Sequence, residues 1–339
     1  MDIDLSVLRL IEREKEIPFS ELVSIIEAAI LAAYYKHVHA DPKNLPAARA
    51  HLDPKTGAVS IFETVSDEGE ETSSEKNVTP ENFGRIAAHS AKQVIAQRLR
   101  EINDEGLFGE FTGKKDDVVT GVIQQGPRPY MIHVDLGSIE AVLPPEEQVP
   151  GEDYSHGKRI RVLVTNVNKG NRGPQVTVSR THPTLVRKLF ALEVPEIATG
   201  VVEIVQVARE AGHRTKIAVR AHEAGVNAKG ACIGELGQRV RAVSAELNDE
   251  KIDIVDYSTD ICEFVAQALS PAKVSDTYII NQGDPKAAGE AKAVHVRALV
   301  PDYQLSLAIG KEGQNVRLAA KLTGAKIDVQ PESILEGDD

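Results

Sequence analysis

Two short glycine-containing turns carry the residues of this chain whose types and spacing could bind a ligand. Residues 234–237 (GELG) and 310–313 (GKEG) share the spacing G-x-x-G, and apolar residues at helical spacing flank each turn. Glycine has no Cβ atom, so these turns can adopt unusual φ angles and let a sugar-phosphate backbone approach closely. The helix after each turn begins there, so its unpaired N–H groups and the positive end of its dipole would face that backbone. Both turns are therefore candidate phosphate-binding sites.

The two turns belong to an internal repeat. Residues 232–241 align without a gap with residues 308–317, and after a one-residue slip residues 251–253 align with 326–328. A period of about 75 residues is too long for a solenoid repeat and suits two copies of a small domain. A duplicated helical hairpin used only for packing is the alternative. It would not explain why both copies keep glycines where helix-forming residues would be more stable.

The elements around each turn follow one order. The pattern of each copy predicts α-β-β-α-α-β, with the G-x-x-G turn between the second and third helices. This order resembles the bacterial-type (type II) KH domain, in which the turn holds single-stranded nucleic acid. We therefore expect a first KH domain at residues 184–259 and a second at 260–333. Almost no linker separates them, so a rigid shared surface is expected.

The RNA-binding residues that we predict lie in or beside the two turns. In the first copy they are Lys229, Gly234, Glu235, Leu236, Gly237, Gln238, Arg239 and Arg241. In the second copy they are Ile309, Gly310, Lys311, Glu312, Gly313, Gln314, Asn315 and Arg317. Lys311 is the first choice for a phosphate contact. Arg241 and Arg317 occupy equivalent positions, so they could instead cap or brace the helix pair.

Residues 105–183 change to a β-type pattern. Five short apolar runs, punctuated by glycine and proline, predict a small closed β-barrel of the OB architecture. Residues 134–137 (VDLG), followed by 140–144 (EAVLP), resemble the S-one-type OB module. Its candidate stacking residues are Phe108, Phe111, Tyr130 and His133, although each could equally belong to the core or the rim.

Residues 1–104 predict an N-terminal α/β module. Ser20 is the candidate N-cap of a periodic helix, and two strands follow around residues 47–52 and 58–65. A polar acidic stretch follows at residues 66–76. Thr79-Pro80-Glu81 is a start signal for a long helix that reaches about Asn103 and either continues into the barrel or breaks at Gly106. The overall fold class is thus α+β multidomain: this module, an S-one-type OB barrel, two tandem type II KH domains and an acidic tail at residues 334–339.

Charge and motifs exclude several function classes. The net charge of −12 is concentrated at the ends: −6 in residues 1–104 and −3 in residues 334–339, against −1 in 105–183 and −2 in 184–333. Non-specific wrapping of duplex DNA needs summed cationic charge and is disfavoured, whereas a local groove for single-stranded RNA remains compatible. No P-loop, nucleophile elbow or H-E-x-x-H motif occurs, and Cys232 and Cys262 are isolated. We expect no enzyme activity, cofactor, metal site or membrane span.

Longer strings resemble the bacterial NusA family of transcription factors over nearly all 339 residues. Residues 79–88 (TPENFGRIAA) and 91–94 (AKQV) are similar to its polymerase-binding domain. Residues 179–181 (SRT), 193–197 (EVPEI) and 208–217 (AREAGHRTKI) are similar to its barrel-to-KH junction. The chain departs from the family in the glutamates of both turns and in residues 227–230 (NAKG), where relatives usually have Asp-Pro-Val-Gly.

The resemblance implies a cytoplasmic RNA-binding factor, expected to be a monomer. Its N-terminal module would dock on the β-flap region of RNA polymerase, while the OB and KH modules grip nascent single-stranded RNA. It would modulate pausing, termination and, with other Nus factors, antitermination. A translation- or ribosome-associated RNA-binding protein is the alternative. A polynucleotide phosphorylase has similar modules in the opposite order, but its long catalytic core is absent from this sequence.

Overall fold

Helices and small sheets alternate along the chain as its apolar periodicity predicts. The computed structural model describes residues 5–15, 18–38, 45–65, 74–81, 83–126, 128, 130–170, 173–283 and 293–337. These divide into two units, residues 1–106 and 107–339. Within the described ranges, no helix combines the length and the apolar character that crossing a membrane requires.

The first unit packs helices on one antiparallel sheet. Helices α1 (Leu5–Lys15) and α2 (Phe19–His37) precede the sheet, whose strand order is β1-β2-β3. The strands are β1 (Ala48–Leu52), β2 (Val59–Val65) and β3 (Ser74–Asn77). The unit's core combines apolar residues of α2, the sheet and the start of helix α3: Ile26, Ile30, Leu52, Ile61, Phe83 and Ala87.

Two predicted helix starts are wrong. Ser20 lies inside α2, because the carbonyl of Pro18 accepts the N–H groups of Glu21 and Leu22 and the helix begins at Phe19. Helix α3 (Phe83–Gly113) begins four residues after Thr79. The hydroxyl of Thr79 instead accepts the N–H group of Ile61, 2.9 Å away, and thus secures the chain to strand β2.

Helix α3 does not break at Gly106, and one strand of this region was not predicted. The helix continues to Gly113, and Phe111 near its end packs in the barrel core of the second unit. Strand β3 lies at the end of the polar stretch. It pairs with β2 although its own residues show no apolar pattern. Arg49 of β1 forms an ion pair with Glu75 of β3. Residues 66–73 of that stretch lie outside the described residues.

The second unit begins with the predicted five-stranded barrel. It closes in the order β4-β5-β6-β8-β7. The strands are β4 (Val118–Gln124), β5 (Ile132–Asp135), β6 (Glu140–Leu143), β7 (Arg159–Gly170) and β8 (Gly173–Ser179). Residues that point inward alternate along each strand and form one buried core, as in β4, where Gly121 and Ile123 are buried between less buried neighbours.

Two modules with the same strand pattern follow. The first contains α4 (Pro183–Glu193), α5 (Pro195–Ala198), β9 (Val202–Glu210), β10 (Arg214–Ala221), α6 (Ala228–Ile233), α7 (Gln238–Glu246) and β11 (Lys251–Asp256). The second contains α8 (Ile261–Ala268), β12 (Asp276–Asn281), β13 (His295–Val300), α9 (Leu305–Ile309), α10 (Gln314–Thr323) and β14 (Lys326–Pro331). In each, the central strand is antiparallel to the preceding strand and parallel to the last one. The predicted order is confirmed, with the short helix α5 added to the first module.

Candidate nucleic-acid interface

The two G-x-x-G turns have nearly the same backbone conformation. Gly234 has a φ of 74° and a ψ of 174°, and Gly310 has a φ of 77° and a ψ of 173°. This region of backbone space is essentially restricted to glycine. The last glycines, Gly237 and Gly313, lie in the left-handed helical region, with φ of 76° and 73°. The repeat seen in the sequence is therefore a repeat of one loop geometry.

The two glycines of each turn have different surroundings. A Cβ atom on Gly310 would lie 2.8 Å from the Cβ of Asn315 and 2.9 Å from its backbone nitrogen. The first glycine therefore lets the turn close tightly on helix α10. A Cβ atom on Gly313 would have no neighbour within 4 Å. The open side of the second turn is thus at its last glycine, where a ligand has room to approach.

Both following helices begin without a side-chain cap. The N-cap residues of α7 and α10 are Gly237 and Gly313, which have no side chain to accept the first N–H groups. These N–H groups and the positive helix end are therefore directed at the turn. Glu235 and Glu312 are exposed beside them. Each carboxylate would repel an anionic ligand, so attraction for a phosphate would have to come from the backbone N–H groups and from nearby basic side chains such as Lys311.

Three of the predicted basic residues form no ion pair within the described part of the chain. Lys311 is exposed and makes no side-chain hydrogen bond or ion pair with described residues. Lys229 and Arg241 likewise have no ion-pair partner there, and Arg241 reaches to 3.0 Å from the Cβ position of Gly237. These side chains remain available for phosphate contacts.

Two arginines of the predicted set instead brace the fold. Arg239 donates hydrogen bonds to the carbonyl of Ala231 and to the carboxylate of Glu196, at 2.7 and 2.8 Å. Arg317 donates from Nε to Glu210, at 2.7 Å. Arg317 therefore acts as a brace in the structure, but it joins helix α10 to strand β9 of the first module. A contact of either guanidinium with phosphate would compete with an existing ion pair.

The prediction of an RNA contact through the side chain of Asn315 is at odds with its position. Asn315 is only 2% exposed. Its Nδ2 donates to the carbonyls of Leu269 and Ala308, both at 2.9 Å. It thus ties helix α10 to α9 and to the end of α8. Arg239 occupies the equivalent position in the first module and likewise bonds a carbonyl of the preceding helix.

The remaining predicted residues lie at the surface of the turns. Leu236 forms the tip of the first turn and is 88% exposed, and Gln238 is also exposed. Ile309, the last residue of α9, is 36% exposed. Gln314 donates from Nε2 to Glu210, at 2.9 Å, so it shares that carboxylate with Arg317.

A cleft of about 640 Å³ separates the second turn from the first module. One wall is the β9–β10 turn and the start of β11, with His213 and Lys251. The opposite wall carries Lys311, Glu312 and Arg317. The lining of the cleft thus includes both basic and acidic side chains.

Sequence reasoning missed the charged residues that hold the two modules together. Lys216 is fully buried, and its Nζ donates to Asp253 and to the carbonyl of Ser270, at 2.9 and 2.6 Å. Burial lowers the pKa of Lys216, although the charge of Asp253 opposes that change. Burial alone would raise the pKa of Asp253, but hydrogen bonding from Arg214 and the charge of Lys216 together lower it. A lysine directly before the apolar run of residues 217–219 (IAV) was the available sequence signal.

The barrel candidates for base stacking divide into buried and accessible residues. Phe111 is in the barrel core, so a stacking role is wrong for it. Phe108 lies under the Nζ of Lys169, 5.1 Å from the ring centre. Tyr130 is 55% exposed. His133 is half-buried, with Nδ1 2.6 Å from the carboxylate of Glu140.

Carboxylates, thiols and imidazoles are dispersed. In the described ranges, no three His, Cys, Asp or Glu side chains are grouped so that they could hold a metal ion. Cys232 is buried, and burial raises the pKa of its thiol to about 12.

Comparison with known proteins gives a consistent result along the chain. The NusA N-terminal domain matches residues 5–75 and 65–105, and the S1 RNA binding domain matches 113–179. The NusA-like first and second KH domains match 180–257 and 261–336. The transcription termination/antitermination proteins NusA of Mycobacterium tuberculosis and Mycobacterium bovis are each 52% identical over 337 residues, which covers 97% of this chain and 93% of theirs. The Bacillus subtilis protein of that name is 46% identical over 351 residues, 97% and 91% of the two chains.

Proposed function

Because the chain belongs to the NusA family of RNA-binding transcription termination and antitermination factors, we propose that both G-x-x-G turns grip nascent RNA while the N-terminal unit is docked on RNA polymerase. The observation that carries this proposal is the repeated loop geometry, in which two turns present glycine backbone and uncapped helix N-termini. One strand of RNA can be held at two places by the same chemistry, and Lys311, Lys229 and Arg241 supply the nearby positive charge.

The proposed contact set is narrower than the sequence alone predicts. It keeps the two turns, residues 234–237 and 310–313, with Lys229, Gln238, Arg241 and Ile309 around them. It leaves out Asn315, whose side chain is buried. Arg239, Gln314 and Arg317 enter it only if RNA displaces their carboxylate partners, Glu196 and Glu210.

The polymerase contact is the second part of the proposal. The match of the NusA N-terminal domain to residues 5–105 supports an N-terminal unit that binds RNA polymerase, and we place that contact at the β-flap region. The protein would act in the cytoplasm as a monomer, together with other Nus factors and without catalysis. A ribosome-associated role is the competing function. Purified full-length chain should bind core RNA polymerase, and binding to ribosomes alone would favour the alternative.

Substitution of the last glycine of each turn tests the RNA-binding part of the proposal. Asp and Asn tolerate the left-handed region better than other residues with a side chain, and Gly313 has open space around its Cβ position. At Gly237 only the flexible end of Arg241 lies within 3.0 Å. The Gly237→Asp, Gly313→Asp double variant can therefore be compared with Gly237→Asn, Gly313→Asn, which has the same shape without the charge.

The measurement is fluorescence anisotropy of a short single-stranded RNA with the full-length chain at two salt concentrations. We expect the aspartate pair to lose tenfold or more in affinity relative to the asparagine pair, because each new charge meets phosphate. Equal affinities of the two pairs would mean that phosphate does not approach these turns, and RNA contact would then have to move to the barrel.

A further inference from the structure

Tyr303 is an exposed aromatic residue immediately before helix α9. Its side chain is 82% exposed. Within the described part of the chain it makes no hydrogen bond, ion pair or ring contact. The chain has only 4% aromatic residues and no tryptophan. A tyrosine left in water beside the second G-x-x-G turn therefore needs an explanation other than packing.

The position of Tyr303 relates it directly to the turn. Tyr303 and Leu307 are four residues apart, so they lie on one face of the helical segment that ends at Gly310. Leu307 is 48% exposed. Helical rise places Tyr303 about 10–12 Å from the turn. A KH turn clamps a stretch of about four nucleotides, and Tyr303 is within reach of that stretch.

The charges near Tyr303 favour its contact with a nucleobase over contact with a phosphate. The neighbouring Asp302 is exposed, and its Oδ1 accepts the N–H group of Ser333 at 3.3 Å, which brings the exposed Glu332 close. Two carboxylates repel a phosphate but not the face of a nucleobase. An aromatic ring presents a stacking surface that is tolerant of sequence.

The first module lacks this feature. Asn227 occupies the equivalent position, and its Oδ1 accepts the N–H group of Gly230 at 2.8 Å as the N-cap of α6. Ala231 stands in place of Leu307. The two modules thus have the same backbone loop but different side chains on the approach to it.

We propose that Tyr303 stacks on a nucleobase of the RNA strand whose backbone lies at residues 310–313. This inference rests on the RNA binding proposed for that turn. Binding to the second module would then require a nucleobase that can stack on the ring of Tyr303. The first module, with Asn227 at that position, has no such requirement.

The test uses the full-length chain and a single-stranded RNA of about ten nucleotides, with 2-aminopurine substituted at one position at a time. With the unaltered protein, fluorescence should be quenched strongly at one position, where the base stacks on the ring. Tyr303→Ala should abolish that quenching and weaken binding by about five- to a hundredfold. The slope of affinity against salt should stay unchanged, because no phosphate contact is lost.

Two variants serve as controls. Tyr303→Phe keeps the ring and should keep both affinity and quenching. Leu192→Ala removes another apolar side chain that is largely exposed, on helix α4, and should have no effect. If Tyr303→Phe binds as weakly as Tyr303→Ala, the hydroxyl and not the ring makes the contact, and stacking is wrong. A smaller salt slope for Tyr303→Ala would also contradict it.

The Gly313→Asp and Gly313→Asn variants separate the two proposals. If Gly313→Asp weakens binding relative to Gly313→Asn while Tyr303→Ala behaves as the unaltered protein at every reporter position, the turn binds RNA and the stacking inference alone is wrong. If the two Gly313 variants bind equally, the turn does not meet phosphate, and both proposals are wrong for this module.

Discussion

The carboxylate of Glu210, at the end of strand β9, accepts a hydrogen bond of 2.7 Å from Nε of Arg317 in helix α10. This contact joins the sheet of the first KH module to the helix after the G-x-x-G turn of the second. Hydrogen bonding from Arg317 lowers the pKa of Glu210, against the opposing effect of burial. The same carboxylate also accepts from Gln314. One acidic side chain therefore holds two residues that flank the proposed RNA site.

Replacing Glu210 should strengthen RNA binding. Glu210→Gln removes a negative charge from the cleft and frees Arg317 for phosphate, so we expect a gain in affinity of about two- to tenfold at low salt. The slope of log affinity against log salt should become steeper by about 0.7, which is the change expected for one additional phosphate contact on a single strand. Anisotropy titrations over a salt series measure both quantities.

Glu223→Gln is the matched control, because Glu223 is an exposed carboxylate of the same module. It should change affinity far less than Glu210→Gln does. A fall in affinity for Glu210→Gln would show that fixing Arg317 and Gln314 in place matters more than the charge that Glu210 adds.

The fold was predictable wherever local patterns determine it. The barrel strands show apolar runs punctuated by glycine and proline, and the structure has the predicted number of strands in the barrel and the predicted strand order in both KH modules. Strand β3 was not predictable, because its polar residues form a strand only through pairing with β2. The end of α3 could not be decided from the sequence for a similar reason, since Phe111 is held by a barrel that lies later in the sequence.

The candidate site shows the same limit. The G-x-x-G spacing predicts the turns, because the backbone there requires glycine. The spacing does not reveal that Asn315 is buried or that Arg239 and Arg317 already have carboxylate partners. Glu196 and Glu210, which hold those arginines, are 43 and 107 residues away along the chain. Such contacts depend on how elements pack and not on local pattern.

Asp253 should make the stability of the second unit depend on acidity. The pKa of its carboxyl is lower in the folded protein than the ordinary value near 4. Its contribution to the free energy of unfolding is therefore present above about pH 4 and is lost as the pH falls through the folded value. Between about pH 7 and pH 3, the unaltered protein should lose more stability than Asp253→Asn does.

At neutral pH, Asp253→Asn should itself cost about 3–5 kcal/mol, because it leaves the fully buried Lys216 without its charged partner. Urea denaturation followed by circular dichroism measures both effects. Glu203→Gln, which breaks the exposed Glu203–Arg220 pair of the same sheet, should cost no more than about 1 kcal/mol. Equal costs for the two variants would mean that burial of Lys216 does not depend on Asp253.

Arg180 should be the most sensitive residue at the barrel-to-KH junction. Its guanidinium is 2% exposed and bonds the carboxylate of Glu152 and the main-chain carbonyls of Arg161 and Glu246. Arg180→Met should destabilise the unit by about 3–5 kcal/mol, because the buried Glu152 is left without its cationic partner. The double variant with Glu152→Gln should recover part of that loss in urea denaturation. If the double variant recovers none of the lost stability, the cost comes from the lost hydrogen bonds to the main-chain carbonyls of Arg161 and Glu246.

The two glycines of the second turn should respond differently to alanine. At Gly310 the added Cβ would meet the backbone of Asn315 at 2.9 Å, in a conformation that essentially only glycine adopts. At Gly313 the Cβ meets nothing within 4 Å, and only the left-handed conformation costs about 1–2 kcal/mol. Gly310→Ala should therefore lower the free energy of unfolding by more than Gly313→Ala, as measured by urea denaturation. Similar losses would mean that α10 shifts to make room, so that the close approach of Gly310 to Asn315 is not what holds the turn closed.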